Sequence, residues 1–189
     1  METKVLFFEN ASIQHTDEVL SLVKQRATEL GIKSIVIASN SGDTAVKAVK
    51  ALKGFNVIAV SLATGSREPN LQLFTEENRK IVESIGAKVL STGHAFGGVS
   101  AAMRDKFNTF QIGDIIANTL RIFGQGMKVA CEIALMAADA GLVHSNEPAI
   151  SIAGTGKMGG ADTAIVISPV NSIRFFDLKV HEIICKPRL

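Results

Sequence analysis

Four polar stretches that contain glycine hold most of the residues in this chain able to grip a ligand. The first, Ser39-Asn40-Ser41-Gly42-Asp43-Thr44, follows the apolar run Ile35-Val36-Ile37-Ala38 and precedes a segment with helical spacing. Small hydroxyl residues at a strand-to-helix turn suit an anion. The first helical amides lack intrahelical acceptors, and the aligned peptide dipoles leave about half a positive charge there. The simpler reading is an ordinary capped helix start, because Ser, Thr and Asp are common caps. The second stretch, Thr64-Gly65-Ser66-Arg67, brings one guanidinium that can clamp an anion with two parallel hydrogen bonds, or that is simply an exposed loop arginine. The third, Thr92-Gly93-His94, carries an imidazole able to donate to a ligand or move a proton, though the sequence shows no carboxylate partner for it. The fourth, Gly154-Thr155-Gly156-Lys157-Met158-Gly159-Gly160, lets backbone amides come close to an anion and adds a lysine charge.

Together these residues suit binding a phosphate more than any reaction. Around the turns no acid–base pair, no nucleophile with a base beside it and no metal cluster stands out. Ser39, Ser41, Gly42, Asp43 and Thr44 are expected to hold the phosphate, with Asp43 acting more as a helix cap than as a contact. A Gly42→Val change is expected to abolish binding and leave the fold. Cys131 and Cys185 are isolated, without CxxC or Cys/His spacing, and read as buried thiols rather than as a zinc site or a disulfide framework.

The elements that must position these turns alternate along the first half of the chain. Lys4 to Phe8 reads as a strand that leaves through Glu9-Asn10-Ala11-Ser12. A helix follows, with Thr16 as its cap, Asp17 and Glu18 at its positive end, and Val19, Leu20, Val23, Ala27 and Leu30 on one apolar face until Gly31. Ile35 to Ala38 is the second strand. In the next helix Ala45, Ala48, Val49 and Leu52 share a face, opposite Lys47, Lys50 and Lys53 on a solvated side. Val57 to Leu62 is the third strand. Thr75 caps the third helix, with Ile81, Val82 and Ile85 facing inward before Gly86, and Lys88 to Ser91 is the fourth strand. Such alternation predicts a parallel sheet with helices on both faces and right-handed crossovers. Ligands of such sheets bind outside the carboxyl ends of the strands, so the turns at Glu9, Ser39, Thr64 and Thr92 belong on one rim.

The second half reads differently. Phe96 to Val143 is helical throughout, with Ile112, Ile115, Ile116, Leu120 and Phe123 as one stripe, a break at Gly124 and Gly126, and a buried, alanine-rich helix over Met127 to Ala140. Lys128, Glu132 and Asp139 on that helix are taken as an exposed edge, with a reach into the site as the alternative. Such an apolar helix at the sheet margin also suits a subunit interface, which makes a homo-oligomer possible. Ala149 to Ala153 and Ala161 to Ile167 form an antiparallel hairpin around the glycine turn, and Val180 to Cys185 is a closing strand.

Gly154 to Gly159 matches the dinucleotide fingerprint GxGxxG, but its context argues against NAD. The fingerprint needs a helix after the third glycine, whereas Ala164 to Ile167 is strand-like, and the strand after the opening helix ends Ser61-Leu62-Ala63 with no acid for a ribose.

Composition sets the outer bounds. With 189 residues, 47% of them hydrophobic and 20% charged, the chain is expected to form one globular domain over 1–189 that buries roughly 70% of its unfolded surface. A net charge of +2, dispersed lysines and arginines, and no Trp or Tyr argue against a nucleic-acid groove. The apolar run Val5-Leu6-Phe7-Phe8 is too short for a signal core or a membrane span, so a cytoplasmic protein with no membrane partner is expected.

The turn Ser39-Asn40-Ser41-Gly42-Asp43-Thr44-Ala45 and the hairpin Gly154 to Thr163 resemble the C-terminal domain of pyruvate kinase. Closer still is the similarity to archaeal stand-alone proteins of the pyruvate kinase α/β domain-like family. It rests on Ala38-Ser39 with Gly42-Asp43-Thr44-Ala45, Cys131-Glu132-Ile133 leading into Met136-Ala137-Ala138-Asp139, Gly160-Ala161-Asp162-Thr163-Ala164, Phe175-Phe176-Asp177 and Glu182-Ile183-Ile184-Cys185. The resemblance implies a three-layer α/β/α fold, mostly parallel with an antiparallel C-terminal hairpin. It also implies flavin mononucleotide (FMN) or a similar phosphorylated ligand on the rim, without an established reaction. The expected ligand wall comprises Ser39 to Thr44, Thr64, Gly65, Arg67, Thr92, His94, Gly154 to Lys157, Gly159 and Gly160. Any enzyme here would be flavin-dependent, and the alternative is a regulatory module that senses a phosphorylated metabolite without turning it over. A catalytic barrel of about 250 residues does not fit in this chain, so pyruvate kinase activity itself is not expected.

Overall fold

Runs of β-branched residues make strands that can be buried on both faces, and here the two faces split residue by residue. In β2 (Ser34–Ala38) Ile35 and Ile37 face one apolar layer while Val36 faces the other, and in β3 (Asn56–Ser61) Val57 and Ala59 alternate in the same way with Ile58 and Val60. β5 (Ala149–Ala153) and β6 (Thr163–Ser168) are buried at every position. These statements, and all that follow, come from a computed structural model describing residues 2–145, 147–155 and 159–188.

Seven strands form one sheet in the order β1-β7-β6-β5-β2-β3-β4, where β1 is Leu6–Phe8, β4 Lys88–Ser91 and β7 Lys179–Pro187. Only β6 runs against its neighbours; every other pair is parallel. The carboxyl ends of β1 to β5 therefore share one rim, but β1 stands beyond β7 and β6, far from the turns after β2 and β3. Helices α1 (Thr16–Leu30), α2 (Asp43–Ala51) and α3 (Glu76–Ser84) cover one face. On the other, α6 (Gln125–Asp139) packs on β2, β5 and β6, with α5 (Ile112–Arg121) against it and α4 (Val99–Phe107) against α5. The fold is the expected three-layer α/β/α arrangement, including the antiparallel β5–β6 hairpin. Among the described residues no helix is long and apolar enough to cross a membrane.

Several local expectations give way to packing. Thr16 is not the cap of α1: that position is His15, while the Thr16 hydroxyl donates to the Ile13 carbonyl (2.6 Å) and accepts the Ala161 amide (3.0 Å). Ile85 does not face inward, because α3 ends at Ser84 and leaves it 43% exposed. Phe96 to Val143 is three helices, with breaks at 108–111 and 122–124. In α5 only part of the apolar stripe packs: Ile116 and Leu120 meet the core, whereas Ile112 and Ile115 stay exposed, as does Phe123 just beyond the helix. Cys131 and Cys185 are both free and buried, and burial pushes each thiol up to about 12.

The closest approach between layers is at Gly126, in the first turn of α6, where a Cβ would sit 2.1 Å from the Thr163 hydroxyl of β6. Overpacking of this kind costs about 1–3 kcal/mol and outweighs the gain of up to about 1 kcal/mol in helix propensity. A Gly126→Ala protein is therefore expected to unfold at a lower urea midpoint with unchanged slope. An equal or higher midpoint would show that α6 does not bear on β6 there.

Candidate functional site

The turn after β2 is built by its hydrogen bonds. The Ser39 amide donates to the Val60 carbonyl (2.9 Å), extending the ladder to β3, and the Ser39 hydroxyl accepts the Ala45 amide (3.2 Å) inside α2. Gly42, at the cap position of α2, has φ 100°, and a Cβ there would lie 2.5 Å from Asn78 Cβ and 2.8 Å from the Phe74 ring. Glycine is required twice over, by conformation and by space, so Gly42→Val cannot leave the fold intact as expected. Asp43 is not a cap either. Its carboxylate accepts the Ser41 hydroxyl (2.7 Å) and the Asn78 amide (3.0 Å), and those two bonds hold it below the usual carboxylate range.

Facing this turn is the β5–β6 loop. Asp162, 2% exposed, accepts the Thr155 amide (3.2 Å) and the Thr163 hydroxyl (2.8 Å), and burial pushes its carboxyl up. Gly160 has φ 77° and lies so close to the chain entering α1 that a Cβ would be 2.7 Å from Ile13 Cα and 2.8 Å from Thr16 Oγ1. The loop is thus anchored at both legs. Gly156 and Lys157, expected at its tip, lie outside the described residues, as does Met158.

The third wall is α6, and it overturns the reading of Lys128 and Glu132 as an exposed edge. Their side chains are 10% and 2% exposed, one turn apart, and the Lys128 ammonium donates to Glu132 Oε2. Glu132 Oε1 accepts the Phe96 amide (3.0 Å), and His94 Nδ1 lies 3.4 Å from Oε2. Burial opposes the Glu132 charge, yet His94 and Lys128 outweigh it and hold the carboxyl at about 2. The carboxylate partner that His94 lacked in the sequence is therefore Glu132. His94 Nε2 is buried and among the described residues has no hydrogen-bond partner. Asp139 does stay exposed and accepts the Ser172 amide (2.8 Å).

Sequence reasoning placed Lys128 and Glu132 on an exposed edge and kept the site only as the alternative, although a signal for burial was present. Opposite charges four residues apart within the otherwise apolar Met127 to Ala140 are costly unless they pair.

These walls enclose a cleft of about 700 Å³. Ser39, Asn40, Ser41, Thr44, Arg67, His94, Gly154, Thr155, Gly159 and Gly160 all line it, as do Lys128 and Glu132. Thr64 and Gly65 line an adjoining chamber of about 630 Å³, which shares His94, Lys128 and Glu132 with the first. Gly42 and Asp43 support the turn from behind, and Thr92 lines neither space.

The family model for the pyruvate kinase alpha/beta domain matches residues 17–167. Among solved structures, a pyruvate kinase from Cryptosporidium parvum is 13% identical with a TM-score of 0.42, the match covering 86% of this chain and 24% of that one. A Cryptosporidium parvum pyruvate kinase in complex with ADP is 13% identical with a TM-score of 0.39, covering 94% and 25%. An O-ureido-L-serine synthase is 18% identical with a TM-score of 0.31, covering 50% and 30%. The chain spans about a quarter of the length of the pyruvate kinases it matches.

The depressed Glu132 carboxyl has a pH signature. Its folded value of about 2 lies below the ordinary 4.5, so the stability it contributes is present above pH 4.5 and lost as pH falls toward 2. In Glu132→Gln this acid limb should flatten, and stability at pH 7 should fall by about 3–5 kcal/mol because Lys128 keeps a buried charge without a carboxylate. Urea unfolding from pH 2 to 7 reads both. Identical acid limbs in the two proteins would mean that Glu132 is not held ionised.

Proposed function

The chain belongs to the pyruvate kinase alpha/beta domain family, and from that premise we propose that its cleft binds FMN or a phosphorylated small molecule of similar size, with the phosphate at the Ser39–Thr44 turn. The observation that carries this reading is convergence: the amino end of α2, the glycine-bearing β5–β6 loop and the Arg67 guanidinium border a single cleft. The first turn of α2 is already partly satisfied, its Ala45 amide by the Ser39 hydroxyl (3.2 Å) and its Asp43 amide by the Ser41 hydroxyl (3.4 Å), so what it offers an anion is the hydroxyls of Ser39, Ser41 and Thr44 and the positive end of the helix dipole.

The residues present fit such a ligand. The volume of about 700 Å³ falls in the usual range for small-molecule sites, and Val60, Leu62, Val129 and Ile133 supply apolar surface for a ring beyond the phosphate end. Ser39, Ser41, Thr44 and the backbone of Gly154, Thr155, Gly159 and Gly160 would hold the group by hydroxyls and amides, with Arg67 adding charge. Bound flavin would supply redox chemistry, and the chain's part is to place the ring and keep its phosphate fixed. The reaction is left unassigned.

FMN fluorescence and thermal unfolding test this reading. Added FMN should be quenched on binding and should raise the melting temperature, since a ligand selective for the folded state stabilises it. Arg67→Gln, at an exposed position, should weaken FMN about tenfold, roughly 1.4 kcal/mol. A melting temperature raised by glucose 6-phosphate but not by FMN would favour the metabolite-sensing module. No rise with either would overturn the phosphate site.

A further inference from the structure

The chamber beside the cleft has a composition of its own. Among its lining residues Arg104 is matched by Asp114 and Lys128 by Glu132, whereas Arg121 finds only the neutral oxygens of Gln125 (2.7 Å) and Asn118 (2.8 Å). The ionised side chains lining the chamber are thus three cations and two carboxylates, a formal excess of one positive charge, with Arg104 also bonded to Asp105 and Arg121 acting on Asp114 through space. Phe96, Phe110 and Ala117 give the chamber apolar surface, beside the polar side chains of Thr64, Ser66 and Asn118. We propose that this chamber is a second ligand site, for a small monoanionic acid with an apolar body, seated beside the occupant of the first cleft with His94 on the partition between them.

Charge and shape argue for that class. A dianion would leave one negative charge uncompensated in a space where Asp114 and Glu132 are already present. A neutral ligand would leave Arg121 without an ion pair among the described residues, with Asp114 acting on it only through space. A carboxylate on an aromatic or branched frame meets both halves of the lining, with a planar match to the guanidinium. Gly98, which caps α4, also borders the chamber and makes no side-chain cap bond, so the positive end of that helix adds to the same preference.

His94 connects the two spaces. Glu132 fixes the imidazole through Nδ1, and among the described residues the buried Nε2 has no hydrogen-bond partner. An orphaned polar atom of this kind is costly, and it lies on a residue that both chambers share. The volume of about 630 Å³ is in the usual range for a small-molecule site.

Benzoate and benzamide, alike in shape and different in charge, test the proposal by NMR titration of the full chain, with and without FMN. Benzoate should shift the amide signals of Gly97, Gly98 and Asn118 and the His94 ring signals, with benzamide at least tenfold weaker. Arg121→Gln, an exposed substitution, should weaken benzoate at least tenfold while the spectrum stays folded. Equal binding of the two probes, displacement of benzoate by FMN, or full benzoate affinity in Arg121→Gln would each overturn it. Because the titration without FMN stands by itself, failure of FMN to bind and failure of this chamber to bind are separate results.

Discussion

A carboxylate buried on a helix that is otherwise apolar constrains much of what surrounds it. Glu132 cannot lie under the surface uncompensated, since an isolated charge in low dielectric is far too costly. The Lys128 ammonium one turn earlier, the Phe96 amide and His94 Nδ1 all converge on it. Two of these partners belong to the segment between β4 and α4. Meeting the demands of one charge therefore docks that segment on α6, seats Phe96 in the apolar layer with Ala117 and Leu135, and raises the partition between the two chambers. The Lys128 ammonium lies 5.7 Å from the Phe96 ring, so the same aromatic covers the ion pair it helps to build.

The sheet supplies the frame for this constraint. With α1 to α3 on one face and α6 on the other, the central strands are buried on both sides and read as unbroken apolar runs. Their carboxyl ends open on a common rim, which is why turns far apart in sequence border one cleft. The reversed strand β6 completes the site. It returns the chain beside β5 through the glycine loop, and Asp162 and Thr163 at its start hold that loop against Thr155 and Gly126.

The layer order, the hairpin and the position of most of the turns were legible in the sequence, because strand length, helix period and glycine placement are local signals. Ser39, Arg67, His94 and Gly154 reach the same cleft for that reason. What was not legible depends on contacts between distant segments. Thr16 looks like a cap, yet its hydroxyl serves Ile13 and Ala161 instead. Gly42 looks like a flexible turn glycine, yet it is closed in by Asn78 and Phe74, which only the docking of α3 on α2 reveals. Lys128 and Glu132 look like a solvated edge because helical periodicity assumes that one side is wet. α6 has almost no wet side, being packed against three strands and α5 at once.

The same distinction explains why the glycine fingerprint does not mean a dinucleotide. Gly154 and Gly160 are demanded by steric contact, the first against the Gly160 carbonyl and the second against Ile13, and Gly159 by its φ of 73°. A dinucleotide loop spends its glycines on approach to a pyrophosphate and then begins a helix whose amides finish the site. Here the strand β6 follows, and the helix starts that border the cleft belong to other elements, α2 and α6. A phosphate bound between the glycine loop and α2 would be held by two elements that are more than a hundred residues apart in sequence, so its affinity would depend on the packing of the whole fold rather than on one motif.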